Sequence, residues 1–398
     1  MNTFVHAFFN FFASLRLTVV TLAMALVLVF VGTLAQVNLG LYLAQERYFS
    51  SLFVMWGPQG ADWKIPVWPG GYLLGAILLL NLIAAHIKRF KFTRKKAGIF
   101  IVHAGLILMF VGQFATQLLQ VESYMAIPTG DTKSYSESQR RHELAIIDVT
   151  DPKVDKVVAI PEKLLAKNKG KEIRVPDLPF AIKVDDYYLN SNFSFKQTSG
   201  FDFVQAGRTT KMDDRDIPAA KIEAVVDGQS KAKWTVSNWL TEDALIDAVR
   251  NNLARQQVAP ILAQPYLGPK TFSLNGHNYV IAMRSERYYK PFSLTLKEFR
   301  HDLYLGTKVP KNFSSRVEIK RAGTGEDRET LIYMNNPLRY AGETFYQASW
   351  LPGDSGTVLQ VVRNPGWLTP YVACVMVAGG LLVQFLSHLI GFAKRRTA

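Results

Sequence analysis

Four stretches of this chain, residues 17–35, 67–87, 98–119 and 367–392, contain no Asp, Glu, Lys or Arg. A bilayer span needs about 20 mostly apolar residues. In lipid, every backbone N–H and C=O must find its partner within the segment or a closed sheet. Each stretch is therefore expected as a transmembrane α-helix. Residues 120–366 have the mixed composition of a folded water-exposed domain. The expected order is an interfacial segment (1–16), three membrane helices (17–119), an external domain (120–366), a fourth helix (367–392) and a short tail (393–398). In the first segment Phe4, Phe8, Phe11 and Phe12 recur at helical spacing, as in a helix lying in the membrane surface.

The charge follows the same division. The net charge of +14 invites a nucleic-acid reading, but residues 120–366 hold 34 basic and 30 acidic residues. The excess flanks the apolar stretches. Arg16 precedes the first. Lys88, Arg89, Lys91, Arg94, Lys95 and Lys96 fill the link between the second and third. Lys394, Arg395 and Arg396 follow the fourth. Basic residues beside spans mark the inner face, so both termini and this link are expected inside, and residues 120–366 outside. Nucleic-acid binding is excluded on this pattern, and membrane lipid is the expected surroundings. The first stretch exceeds a signal-peptide core and lacks a clear A-x-A cleavage site, so it is read as a retained span. No transit peptide is evident, and a bacterial inner membrane fits best. The single cysteine, Cys374, rules out an internal disulfide.

The external domain reads as mainly β. Residues 271–274 and 277–281 flank Asn275-Gly276, a type I′ hairpin signal. Residues 221–226 and 231–236 flank Asp227-Gly228 and predict a second hairpin with a slightly longer loop. One clear helix is expected over 243–255, with Thr241 as its cap and Leu245, Ile246, Val249 and Leu253 as its apolar stripe. No Walker loop, dinucleotide fingerprint, HExxH, CxxC or GxSxG occurs. The pairs Asp185-Asp186 and Asp213-Asp214 read as solvated carboxylates. No independent hydrolase or kinase chemistry is expected.

The histidines carry the remaining signal. An ionisable side chain inside a span is a functional hypothesis by default, and neutral imidazole is a common axial ligand of haem iron. At about 1.5 Å per residue, His103 lies roughly 10 Å beyond Lys96, and His388 roughly 9 Å short of Lys394. The two share a depth and are candidates to face one cavity. His86 stands close to the inner interface. The competing reading of each is a helix–helix hydrogen bond, which is also the simplest reading of Asn81, Gln113 and Gln384. His142, His277 and His301 are expected at the surface of the external domain. Trp56, Trp63 and Trp68 sit where an interfacial anchor is expected.

Several segments together resemble the ResB family (also called CcsB) of cytochrome c biogenesis proteins. They are FFASLRLTVVTLAMALVLVFVGTLAQ, VWPGGYLLGAILLLNLIAAH, HAGLILMFVGQF, VESYMAIPTGDT, PFSLTLKEFRHDLYLGTKVPKNFSSRVEI, MNNPLRYAGETFYQASW and VVRNPGWLTPYV. The resemblance implies an unfused subunit of the system II machinery, accessory rather than catalytic. Its implied partners are a ResC/CcsA-type membrane protein, an apocytochrome c with a CxxCH motif, and a thioredoxin-like apocytochrome reductant. It implies haem b in transit, shared with the partner subunit and joined covalently to the apocytochrome. The position it marks as axial ligand is His103, with His86 as second candidate. His388 rests on depth alone. The tryptophan-rich motif of the partner is not reproduced here. The alternative is an apocytochrome chaperone or membrane scaffold with no haem ligand of its own.

Overall fold

The computed structural model describes residues 3–58, 63–89, 93, 96–209, 214–307 and 309–396. Lys91, Arg94 and Lys95 of the basic link, and Asp213, lie outside the described residues. The described chain forms two compact units, one of residues up to 121 and from 363, the other of 122–209 and 214–362.

The first unit opens with α1 (Thr3–Phe12), which turns into α2 (Leu15–Ala44). Ser14 caps α2 by accepting the Arg16 N–H. The helix continues past the expected end at residue 35 and bends at Gly40, whose φ of 73° suits glycine. A short hairpin of β1 (Phe53–Trp56) and β2 (Ile65–Pro69) follows. Then come α3 (Gly71–Arg89) and α4 (Ala97–Leu119).

The second unit starts with β3 (Val121–Pro128), β4 (Thr132–Asp148), β5 (Lys156–Pro161) and the short helix α5 (Glu162–Lys167). Next are β6 (Glu172–Ile173), β7 (Ala181–Tyr188), β8 (Ser191–Lys196), β9 (Gly200–Gln205), β10 (Ala219–Val226) and β11 (Gln229–Ser237). Helices α6 (Asn238–Thr241) and α7 (Asp243–Arg255) precede β12 (Lys270–Leu274), β13 (His277–Leu303), β14 (Pro310–Arg321) and β15 (Glu326–Tyr333). The unit closes with β16 (Leu338–Tyr340), β17 (Glu343–Trp350) and β18 (Gly356–Arg363). The chain returns to the first unit as α8 (Thr369–Arg396). Among the described residues, four helices are long and apolar enough to cross a membrane: Leu15–Phe49, Gly71–Lys88, Ala97–Leu119 and Thr369–Ala393.

The main sheet runs β15-β14-β13-β4-β3-β18-β17-β16, with β12 and β5 paired beside it. A second sheet runs β11-β10-β7-β6. The long strand β13 serves two cores. Its first half sends Tyr279, Ile281 and Met283 into a core shared with Leu144, Ile146, Ile182 and Ile222. Its second half sends Phe292, Leu294 and Leu296 into another, with Met125, Val317, Phe345 and Leu359. Inward residues are odd-numbered in one half and even-numbered in the other. Register breaks between Ser285 and Arg287 and between Tyr289 and Leu294 make the change. A shift by one residue exchanges the faces of a strand.

Both expected hairpins form. Asn275 (φ 51°) and Gly276 (φ 82°) make the β12–β13 turn. Asp227 (φ 51°) and Gly228 (φ 76°) make the β10–β11 turn, which is two residues long and not the longer loop expected. The extra residue is a bulge opposite Ala224 and Val225. Helix α7 covers Asp243–Arg255 as expected, but Thr241 does not cap it. Glu242 occupies the cap position, and the Thr241 hydroxyl donates to the Met283 carbonyl at 2.6 Å.

Two of the three histidines expected at the surface are inside. His142 shares a strand face with Leu144 and Ile146, and its side chain is 1% exposed. Its Nδ1 lies 3.0 Å from Glu162 Oε2 on α5, which also accepts the His142 N–H. His301 stacks on Phe313 and lies tilted against Trp350, ring centres 4.7 and 4.5 Å away, with Asp354 at 2.9 Å from its Nδ1. His277 is half-exposed beside Asp148.

Candidate functional site

Small residues set the packing of the apolar helices in the first unit. Gly98, Gly105 and Gly112 recur every seventh residue of α4 and are buried. A Cβ on Gly98 would lie 2.6 Å from the Gly380 carbonyl oxygen and the Gln384 nitrogen of α8. On Gly105 it would lie 3.0 Å from the Ala373 carbonyl oxygen, and on Gly112 it would meet Thr369. The contacts run in opposite directions along the two helices, so α4 and α8 are antiparallel at backbone distance. Without a hydrophobic effect in lipid, such close approach is a main source of helix association.

This packing decides where the histidines point. At 3.6 residues per turn, His103 stands roughly 160° round α4 from Gly105. It faces away from α8 and toward α3. There it meets His86: the two rings are 5.3 Å apart, edge to face at 89°. Phe100, one turn before His103, completes the cluster at 5.0 Å from the His86 ring. The structure therefore joins His103 to His86. His388 is not brought to either. It lies one turn beyond Gln384, past the end of the α4 contact, and is exposed on the unit.

Asn81 of α3 ties down the start of the chain. Its amide donates to the carbonyls of Phe12 (2.6 Å) and Ser14 (3.0 Å), and its oxygen accepts the Thr18 hydroxyl (2.6 Å). Trp68 packs on Leu28, Val54 and Leu74, with its indole N–H toward the Met24 carbonyl at 3.4 Å. Trp56 and Trp63 are exposed. Gln113 is exposed too, while Gln384 lies in the α4–α8 contact. Cys374 is exposed on α8.

Among the described residues no cluster of three or more His, Cys, Asp or Glu could hold a metal ion. What this unit brings together is a pair of imidazoles, His86 and His103. His86 and His103 together do not fit as the two axial ligands of one iron. Trans imidazole nitrogens stand about 4 Å apart across the macrocycle, at roughly 2 Å per metal–nitrogen bond. Two rings in edge-to-face contact leave no slot for a porphyrin between them.

The sequence marks both histidines, with His86 as the second candidate close to the inner interface, but does not show that the two rings meet. The seven-residue glycine spacing was the missed signal: it assigns one face of α4 to α8, leaving His103 to α3.

Residues 274–358 match the model of the ResB-like family. Over 96 residues the chain is 34% identical to Protein NrfI of Wolinella succinogenes. That stretch is 24% of this chain and 11% of NrfI, so the chain matches only a small part of this relative.

Proposed function

We propose that this chain, whose residues 274–358 match the ResB-like family, is a membrane subunit in cytochrome c biogenesis. It takes part in moving haem across the membrane and in its covalent attachment to apocytochrome c. The observation that carries this reading is His103, an imidazole within an apolar helix and in contact with a second imidazole. In this reading haem is cargo. His103 donates one axial nitrogen to the iron, and a ResC/CcsA-type partner supplies the other. Helices α3 and α4 keep water from that side of the iron. The β unit lies outside the bacterial inner membrane and holds the CxxCH segment still, which lowers the entropic cost of thioether formation. Haem supplies the vinyl groups that the cysteine thiols add to.

Expression with a partner subunit and a reporter apocytochrome tests this. Covalent haem on the reporter, read by haem stain after denaturing electrophoresis, should require this chain and fall with His103→Gly. Full staining without the chain would refute the reading.

One observation favours a second reading. The family match at 274–358 lies wholly in the β unit. A chaperone that holds apocytochrome without ligating haem would need only that unit and an anchor. In that case His103→Gly leaves the stain unchanged, while deletion of the chain removes it.

A further inference from the structure

We propose that His86 is the positioning residue for His103: it does not ligate iron but fixes the plane in which the His103 ring presents its nitrogen. The inference rests on the reading of His103 as an axial ligand.

Three observations carry it. First, α8 cannot constrain the His103 ring, because the face of α4 that meets α8 is the glycine face. Second, the rings meet edge to face at 89°, 5.3 Å between centres, so His86 occupies space that a turning His103 ring would sweep. Third, His86 is itself held: Phe100 contacts its ring at 41°, and Phe100 lies on the same helix as His103, one turn earlier. Residues three apart on a helix share a face, so Phe100 and His103 present two ring surfaces and His86 wedges against both. The contact that His86 makes with the His103 ring thus comes from the preceding helix. In metal sites in general the ligating imidazole is oriented by a hydrogen-bonded neighbour whose loss weakens metal binding about 10- to 100-fold; here a ring contact takes the place of that hydrogen bond.

The wedge is a matter of ring shape, so phenylalanine should serve in its place and glycine should not. The test uses the full chain purified with its membrane partner, His86→Phe, His86→Gly and His103→Gly variants, and haem titration read by the Soret band and the midpoint potential. The expected result is wild-type binding and potential in His86→Phe, with binding about tenfold weaker and a shifted potential in His86→Gly. A His86→Gly protein identical to wild type would overturn the inference. So would a His86→Phe protein that loses haem as fully as His86→Gly, since that marks His86 as a ligand. If His103→Gly leaves the Soret band unchanged, the underlying reading of His103 has failed and the inference falls with it.

Discussion

The rings of His86 and His103 meet edge to face, 5.3 Å between centres, across two helices joined by the basic link. The pair is a by-product of the partition of α4. Its glycine face is committed to α8 and its histidine face to α3. The packing that fixes the helices and the placing of the imidazole are thus one arrangement, and changes to either face can be told apart.

Gly98→Ala should separate α4 from α8, because its Cβ would meet backbone atoms that cannot swing aside. Overpacking of this kind costs about 1–3 kcal/mol. Gly75→Ala in α3 meets nothing within 4 Å and should melt at or slightly above the wild-type temperature, since alanine favours a helix. Thermal unfolding of the detergent-purified chain compares them. Equal melting of the two variants would mean that the glycine contacts do not hold these helices.

His142→Ala should destabilise the β unit by about 1–3 kcal/mol, because it leaves the nearly buried Glu162 carboxylate short of a partner. Removing both side chains should cost less than the sum of the single losses. A double-mutant cycle in denaturant measures the coupling. Simple additivity would mean that the contact contributes nothing.

Asp148 gives a pH-dependent signature. Hydrogen bonds from the Thr150 hydroxyl and N–H, and then His277, hold its carboxyl down to about 2 from an ordinary 3.8. A depressed carboxylate stabilises the fold above its unfolded-state value, and the gain is lost as pH falls through the folded one. Asp148→Asn should therefore be less stable than wild type at neutral pH. The gap should shrink between pH 4 and 2 and vanish below about 2. A gap that stays constant across this window would remove the assignment.

Much of the architecture was legible because strong local rules govern it. Uncharged apolar runs define α2, α3, α4 and α8, and Asn275-Gly276 defines a turn that few other pairs adopt so readily. The apolar stripe of α7 placed that helix residue for residue. What the sequence hid depends on contacts between distant segments. Thr241 has the chemistry of a cap, but its hydroxyl is taken by the Met283 carbonyl on β13. His142 alternates correctly for a core position, yet only the approach of Glu162 makes its burial tolerable. His86 looked interfacial by depth alone. Its meeting with His103 follows from rotation about the helix axis, which depth along the axis does not report.

The central claim is that His103 is an axial ligand of haem iron. The visible spectrum of the purified membrane complex, with and without His103→Gly and then with added imidazole, tests it most directly. The account predicts a Soret band that falls in the variant and returns when imidazole fills the vacated space. A band that is unchanged by the substitution would contradict it.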